Sequence, residues 1–185
     1  MWPERAPRRA LAAMAASAVL SGLAAALLLT DLRILAGVVA LVSGAALLTG
    51  SLQARRSGLP DGLLGRAKFS ERILDVVFDA LILVPLAWVM RSGSTWDTVL
   101  AIVGLGSSYL ASYQRARGEA LGYLGSESLG YRLTREAILV LGLLSGWITA
   151  ALWTFTVLTV AAAAVRAWNI VIQERNARPS EKAIG

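Results

Sequence analysis

Long stretches without a charged residue constrain the fold of this chain more than any other feature. Residues 10–30 are rich in Ala and Leu and carry no charge, and residues 34–52 repeat the pattern. A helix rises about 1.5 Å per residue, so about 20 residues cross a hydrocarbon core about 30 Å thick. Hydrophobic residues make up 56% of the chain and charged residues 16%, with a mean hydropathy of +0.62. This composition excludes an ordinary soluble domain and predicts an all-α, polytopic integral membrane protein.

Further apolar segments complete a set of six predicted transmembrane helices. They are expected over residues 10–30, 34–52, 73–90, 98–113, 129–146 and 148–172. We place a turn near Ser145 and Gly146, because the apolar stretch 137–168 is too long for one span and short for two. Residues 53–72 are predicted to form a polar loop that bends around Pro60, since proline and glycine interrupt helices. The spans form one domain over residues 1–174, and residues 175–185 form a polar tail.

The distribution of basic residues predicts the orientation of these spans. Sixteen of the 18 Lys and Arg residues lie at the termini and in the second and fourth connections, and the other two are Arg33 and Arg91. Cytoplasmic loops retain Lys and Arg, so both termini are predicted to be cytoplasmic, which requires an even number of spans. The net charge of +6 is spread among apolar blocks. Membrane lipids are therefore the expected partners, and nucleic acid is not.

Two aspartates inside the third predicted span are the first candidates for chemistry. The chain has no Cys and no His, so it must rely on carboxylates, Arg, Lys, hydroxyls and a hard metal ion. Asp75 and Asp79 are four residues apart on one helix face, and each costs about 2.5–3.5 kcal/mol at mid-bilayer. Such a pair suits Mg²⁺ or Mn²⁺, with one carboxylate as a general base. Alternatively, Asp75 pairs with Arg72 near the membrane surface, or both aspartates pair with interior arginines.

Two arginine-rich motifs flank the fourth predicted connection. Residues 112–122 read SYQRARGEALG, and residues 130–136 read GYRLTRE. Guanidinium groups bind phosphate oxygens in a bidentate manner, and residues 132 and 135 share a helix face. The motifs therefore predict a cytoplasmic mouth that holds an anionic substrate. The alternative is that these arginines are topology markers that contact lipid headgroups. The four arginines are Arg115, Arg117, Arg132 and Arg135.

Together, the aspartate pair and the two arginine motifs resemble the CDP-alcohol phosphatidyltransferase family, and most closely its phosphatidylinositol-phosphate synthase-like members. The resemblance extends from about the second span to the end of the chain. It implies that a phosphatidyl group passes from a CDP-linked lipid to an alcohol, with release of CMP, in phospholipid biosynthesis. The family uses two divalent cations and the pattern D-x2-D-G-x2-A-R-x8-G-x3-D-x3-D. By this resemblance Asp75 and Asp79 match the last two aspartates, and Asp79 is the base that deprotonates the acceptor.

The resemblance also implies how the two substrates are held. Arg115, Arg117, Arg132 and Arg135 would line a pocket for an anionic alcohol acceptor, such as a sugar phosphate or an inositol phosphate. One placement of the first half of the pattern puts Ala54-Arg55 on its Ala-Arg. A second puts Asp61-Gly62 and Gly65-Arg66 on D-G and A-R, which makes Asp61 a third metal ligand. The donor-binding residues would then be Gly62, Arg66 and Arg55.

The first half of the pattern departs from the family, and this leaves other functions open. A two-metal clamp on a diphosphate needs about four carboxylates, and Glu71 stands where the family has Gly. A catalytically degenerate member that acts as a membrane binding or scaffold protein is therefore an alternative, as is a small transporter that uses Asp75 and Asp79 as an ion or proton site. Gly142 and Gly146 form a Gly-x-x-x-Gly motif that predicts either a homodimer contact or packing inside the bundle.

Overall fold

A computed structural model of the chain describes residues 5–56, 61–120, 122 and 129–181. Within these residues it contains six helices and no strand, which confirms the all-α prediction. The helices are α1 (Arg5–Leu29), α2 (Arg33–Arg56), α3 (Asp61–Met90), α4 (Thr95–Ala120), α5 (Leu129–Ser145) and α6 (Ile148–Glu181). Four segments are long and apolar enough to cross a membrane, namely Arg9–Leu29, Arg33–Arg56, Phe69–Met90 and Ile148–Gln173.

The helices form a bundle with an apolar exterior. Helix α1 packs on α2 and α3, α4 packs on α3 and α6, and α5 packs on α2 and α6. Side chains such as Phe78, Leu143 and Phe155 fill the core, whereas Val19 and Leu141 are exposed, as are many other large apolar residues. Several acidic and basic side chains are buried instead. Apolar residues outside and paired charges inside are the distribution that a bilayer favours, and they indicate membrane insertion.

Small residues bring the first two helices close together. The hydroxyl groups of Ser21 and Ser43 are hydrogen-bonded at 2.7 Å, and that of Ser17 lies 3.1 Å from Ser43. A Cβ atom added to Gly50 would lie 3.0 Å from the carbonyl oxygen of Ala10. Close backbone approach and interhelical hydroxyl bonds are typical of helix pairs in lipid.

The connection between α5 and α6 confirms the predicted turn and explains one glycine of the Gly-x-x-x-Gly motif. Helix α5 ends at Ser145, and Gly146 has φ +76°, a conformation that favours glycine. A Cβ atom added to Gly142 would meet the Cβ of Ala151 on α6 within 2.3 Å. Gly142 therefore serves the packing of α5 against α6 within one chain.

The predicted loop over residues 53–72 is wrong for residues 53–56 and 61–72, which are helical, and the predicted bend at Pro60 lies outside the described residues. Helix α2 continues to Arg56 and α3 begins at Asp61, so residues 66, 68 and 72 lie on a helix. The glycines in this segment each cost about 1 kcal/mol in a helix, which the surrounding Leu, Ala and Lys residues and the packing of α3 offset. The predicted tail is also shorter, because α6 extends to Glu181 with no Gly or Pro between Ile148 and Arg178.

Candidate functional site

Three acidic residues form a row along one face of α3. Glu71, Asp75 and Asp79 follow one another at steps of four residues, which places them one turn apart on the same face. All three are buried between helices, and Asp79 is completely inaccessible to solvent. Because α3 begins before Glu71, that residue joins the aspartate pair instead of lying in a loop.

Arg135 of α5 lies between the two aspartates. Its Nη2 atom is 2.9 Å from Oδ2 of Asp75 and 3.1 Å from Oδ2 of Asp79. Its Nη1 atom donates a hydrogen bond of 2.9 Å to the hydroxyl of Ser108 on α4, and that hydroxyl donates to Oδ2 of Asp79. The side chain of Arg135 is 1% exposed. One guanidinium group thus compensates both carboxylates of the pair.

Arg132 makes the same kind of contact one turn earlier on α5. Its Nη1 atom donates to Oε1 of Glu71 at 2.7 Å, and its Nε atom donates to Oε1 of Glu136 at 3.1 Å. Its Nε atom also lies 3.3 Å from Oδ1 of Asp75. Gly44 of α2 makes room for this network, since a Cβ there would lie 2.8 Å from Oε2 of Glu136. Residues 132 and 135 share the helix face that meets the acidic row.

We call this set of side chains the interior network. It joins α3 to α5 in a region where unpaired charges would be costly. Arg55, at the end of α2, reaches it from the edge, with Nη2 3.3 Å from Oε1 of Glu71 and half of its side chain exposed. The network consists of Glu71, Asp75, Asp79, Ser108, Arg132, Arg135 and Glu136.

A second ion-pair group lies at the end of the hairpin formed by α3 and α4. Arg72 donates two hydrogen bonds of 2.7 and 3.0 Å to the carboxylate of Glu119, and Arg115 donates one of 3.0 Å. Partial burial raises the pKa of Glu119, but the hydrogen bonds and positive charges of the two arginines outweigh it and hold the pKa below its ordinary value of 4.5. We call Arg72, Arg115 and Glu119 the mouth group. Arg117 is exposed nearby on α4.

A groove of about 410 Å³ runs between α3 and α4 beside the mouth group. Its walls are mostly apolar, and the guanidinium groups of the mouth lie at one end. Asp75 contributes to the inner wall, where Arg132 and Arg135 compensate its charge. The groove residues used below are Phe69, Arg72, Ile73, Val77, Tyr109 and Arg115.

The structure places the predicted site residues in different surroundings. Asp75, Asp79, Arg132 and Arg135 come together, but they pair with one another, which matches the alternative in which interior arginines compensate the aspartates. Arg72 pairs with Glu119 and not with Asp75. Gly62 is exposed in the first turn of α3, and a Cβ atom added there would meet no described atom of another element within 4 Å. Arg55 reaches Glu71, whereas the side chains of Asp61 and Arg66 lie outside the part of the chain that the structure describes.

The described residues do not fit a divalent cation at the acidic row. Among them, no group of three or more Asp, Glu, His or Cys side chains has an arrangement that would hold a metal ion. The space between Asp75 and Asp79 is taken by the guanidinium of Arg135. A cation bound there would have to displace that guanidinium and leave it buried without a counter-charge.

Three residues of the interior network were not among the predicted ligands or substrate-binding residues. Glu71 had a signal in its spacing of four residues from Asp75, but the predicted loop concealed it. Glu136 is four residues from Arg132, a spacing typical of helical ion pairs. Ser108 had no signal, because its role depends on how α4 packs against α3.

Comparison with known proteins adds no further constraint. No protein-family model matches the sequence, and neither does any curated protein or any solved structure. The class that the fold and the site define is a helical protein with four helices long and apolar enough to cross a membrane and a buried network of ion pairs.

Proposed function

We propose that this protein binds an anionic membrane lipid, with a CDP-linked lipid as the first candidate, without a divalent cation and without transferring its phosphatidyl group. The single observation that carries this proposal is Arg135, whose Nη2 atom lies 2.9 and 3.1 Å from the two aspartates. In a metal-dependent transferase of the resembled family those carboxylates would hold cations. Here the guanidinium of Arg135 supplies the positive charge between these carboxylates. The protein is then a catalytically degenerate member of the family.

The burial of Asp79, the predicted general base, supports the same conclusion. A general base must come within about 3 Å of the hydroxyl that it deprotonates. Asp79 is completely buried, and its Oδ2 atom accepts a hydrogen bond from Ser108 and pairs with Arg135. An acceptor alcohol would have to separate α3 from α5 to reach this carboxylate.

The experiment is a titration of the purified protein with CDP-diacylglycerol, in Mn²⁺ and in EDTA, followed by addition of inositol phosphate or glycerol phosphate. We expect the same affinity in both solutions and no release of CMP. Release of CMP that requires Mn²⁺ would overturn the proposal, and so would a lack of binding in both solutions.

Metal-dependent transfer to an anionic alcohol stays the second candidate, because the interior network has more acids than arginines. Four buried carboxylates face two buried arginines, and Oδ1 of Asp79 has no hydrogen-bond partner among the described residues. Movement of Arg135 would expose a row of three carboxylates to Mg²⁺ or Mn²⁺. Asp79→Asn separates the candidates, since it abolishes CMP release by a transferase and leaves metal-free lipid binding intact.

We further propose six spans, with both termini and the mouth group on the cytoplasmic side. Helix α4 runs beside α3 from Thr98 at Ala87 to Glu119 at Arg72, which covers most of the apolar part of α3 and supports a crossing of the membrane by α4 alongside α3. Helix α5 follows α2 in the same way, from Glu136 beside Gly44 to Leu143 beside Gly37.

Cysteine labelling tests this topology cleanly, because the chain contains no Cys. In right-side-out vesicles, Ser92→Cys should react with an impermeant maleimide, and Ser126→Cys should react only after the vesicles are permeabilised. Ser92 is exposed in the connection between α3 and α4, and position 126 falls in the sequence between the last residue of α4 and the first residue of α5. The reverse pattern, or labelling of both positions in sealed vesicles, would contradict six spans with cytoplasmic termini.

A further inference from the structure

We infer that the groove between α3 and α4 holds an acyl chain of an anionic phospholipid, whose phosphate is bound by Arg72 and Arg115. This inference rests on the proposed function, because it names the place where the lipid binds. The groove borders the acidic row at Asp75, and neither of the buried arginines Arg132 and Arg135 lines it. Its volume of about 410 Å³ is within the range of about 300–1,000 Å³ that small-molecule sites have.

The groove walls suit an acyl chain. Ile73 and Val77 follow Arg72 along α3, and Tyr109 precedes Arg115 by six residues on the antiparallel α4, so the apolar part begins directly beside the charged end. Side chains of Phe69, Ile73 and Tyr109 are 66%, 46% and 45% exposed although they are large and apolar. An apolar surface beside two fixed cations matches a ligand with a chain and an anionic head.

The charge at the mouth group is complementary to a phosphate. Arg72 and Arg115 both donate to the carboxylate of Glu119, which holds two guanidinium groups at this end of the groove. A guanidinium has five N–H donors, and Arg72 uses two of its hydrogen bonds for Glu119. The acid in the inner wall, Asp75, does not oppose an anion, since Arg132 and Arg135 compensate it.

The position in the bilayer favours a lipid over a soluble anion. The mouth group lies at the end of the bundle where most basic residues collect, which the topology above assigns to the cytoplasmic leaflet. Anionic lipids give that leaflet its negative surface potential. A soluble phosphate would use the arginines alone and leave the apolar groove unfilled.

The test measures lipids retained by the full-length protein in detergent by native mass spectrometry. Phosphatidylglycerol and phosphatidylcholine with identical acyl chains are added to the wild type and to four variants. Val77→Trp fills the groove, and Val160→Trp is its matched control on the exposed face of α6. Arg115→Gln weakens the mouth group, and Arg91→Gln is its control at the opposite end of the hairpin.

We expect the wild type and both control variants to retain phosphatidylglycerol in preference to phosphatidylcholine. Val77→Trp should lose the bound lipid, and Arg115→Gln should lower the preference for phosphatidylglycerol by about fivefold. Inorganic phosphate added in excess should not displace the lipid. Equal retention by Val77→Trp and Val160→Trp would overturn the inference, and displacement by phosphate alone would identify an anion site instead.

The same spectra show whether a second copy of the chain covers the groove. A dimer that dissociates with Val77→Trp would mean that a second copy of the chain covers the groove, which overturns the inference. The CDP-diacylglycerol titration separates this failure from failure of the proposed function. Metal-independent binding of that lipid by Val77→Trp would refute the groove and leave the proposed function standing, whereas Mn²⁺-dependent CMP release would refute the function.

Discussion

The interior network and the mouth group use the same chemistry in different surroundings. In the interior network two arginines of α5 pair with acids of α3, and in the mouth group one arginine of α3 and one of α4 share Glu119 of α4, at distances between 2.7 and 3.3 Å. The side chain of Arg135 is 1% exposed and that of Arg72 is 43% exposed. A buried charge that loses its partner has no water to replace it, whereas a surface charge does. Burial therefore assigns the interior arginines to the structure and leaves Arg72 of the mouth group accessible to a ligand.

The largest expected effect on stability comes from replacing Arg135, the arginine that lies between the two aspartates. Arg135→Met leaves Asp79 without its counter-charge and Asp75 without its closer arginine, and should lower the free energy of unfolding by about 3–5 kcal/mol. Unfolding in mixed detergent and SDS micelles measures this loss. Addition of Asp75→Asn and Asp79→Asn should recover most of it, because the uncompensated charges disappear. An Arg135→Met variant as stable as the wild type would show that the interior network does not hold the bundle together.

A smaller loss of stability is expected when the guanidinium of Arg135 remains but its hydrogen bond to Ser108 is removed. Ser108→Ala removes a hydroxyl that bonds to both Arg135 and Asp79, and buried hydrogen bonds to charged groups contribute about 1.5–3 kcal/mol. The free energy of unfolding should fall by that amount. Ser145→Ala, at an exposed hydroxyl bonded to its own helix, is the control. Equal effects of the two changes would argue against a structural role for the hydroxyl of residue 108.

Crowding the interior network tests its geometry. Gly44→Ala places a methyl group 2.8 Å from Oε2 of Glu136, so this carboxylate must move away from Arg132. Overpacking of this kind costs about 1–3 kcal/mol. Gly106→Ala is the matched control, since nothing lies within 4 Å of its added Cβ and alanine favours a helix. If Gly44→Ala left the free energy of unfolding unchanged, the carboxylate of Glu136 would not be fixed in this position.

The smallest effect is expected at the mouth group. Glu119→Gln should change the free energy of unfolding at pH 7 by less than about 1 kcal/mol, because the ion pairs are exposed. The pKa of Glu119 in the folded protein is below 4.5, so its contribution is complete above pH 4.5 and is lost as the pH falls through the lower folded value. The difference between wild type and variant, measured from pH 7 to acid, should therefore shrink. A difference that grows in acid would contradict the ion pairs.

The apolar pattern was sufficient to predict most helices. The predicted starts of α5 and α6 agree with the structure, because an uninterrupted apolar run and Gly146 define the turn between them. The start of α3 was wrong because its first residues have the composition of a loop while packing keeps them helical. That error removed Glu71 from the acidic row.

The partners of the charged residues could not be predicted from the sequence. Periodicity places residues 132 and 135 on one helix face, but it does not determine whether that face meets an anionic ligand or the carboxylates of α3. The answer depends on the contact between α3 and α5, which joins residues about 60 positions apart. The arginines of the mouth group and those of the interior network lie in similar sequence motifs. They differ in how deeply the fold buries them.

The central claim is that Arg135 supplies the positive charge between Asp75 and Asp79, and binding of Mn²⁺ tests it most directly. Electron paramagnetic resonance of Mn²⁺ added to the purified wild type should show only the spectrum of the free ion. Arg135→Gln, measured in parallel, should take up Mn²⁺, because the guanidinium between the two carboxylates is gone and Asp79 has lost its counter-ion. Stoichiometric binding of Mn²⁺ to the wild type that Asp75→Asn abolishes would contradict the claim.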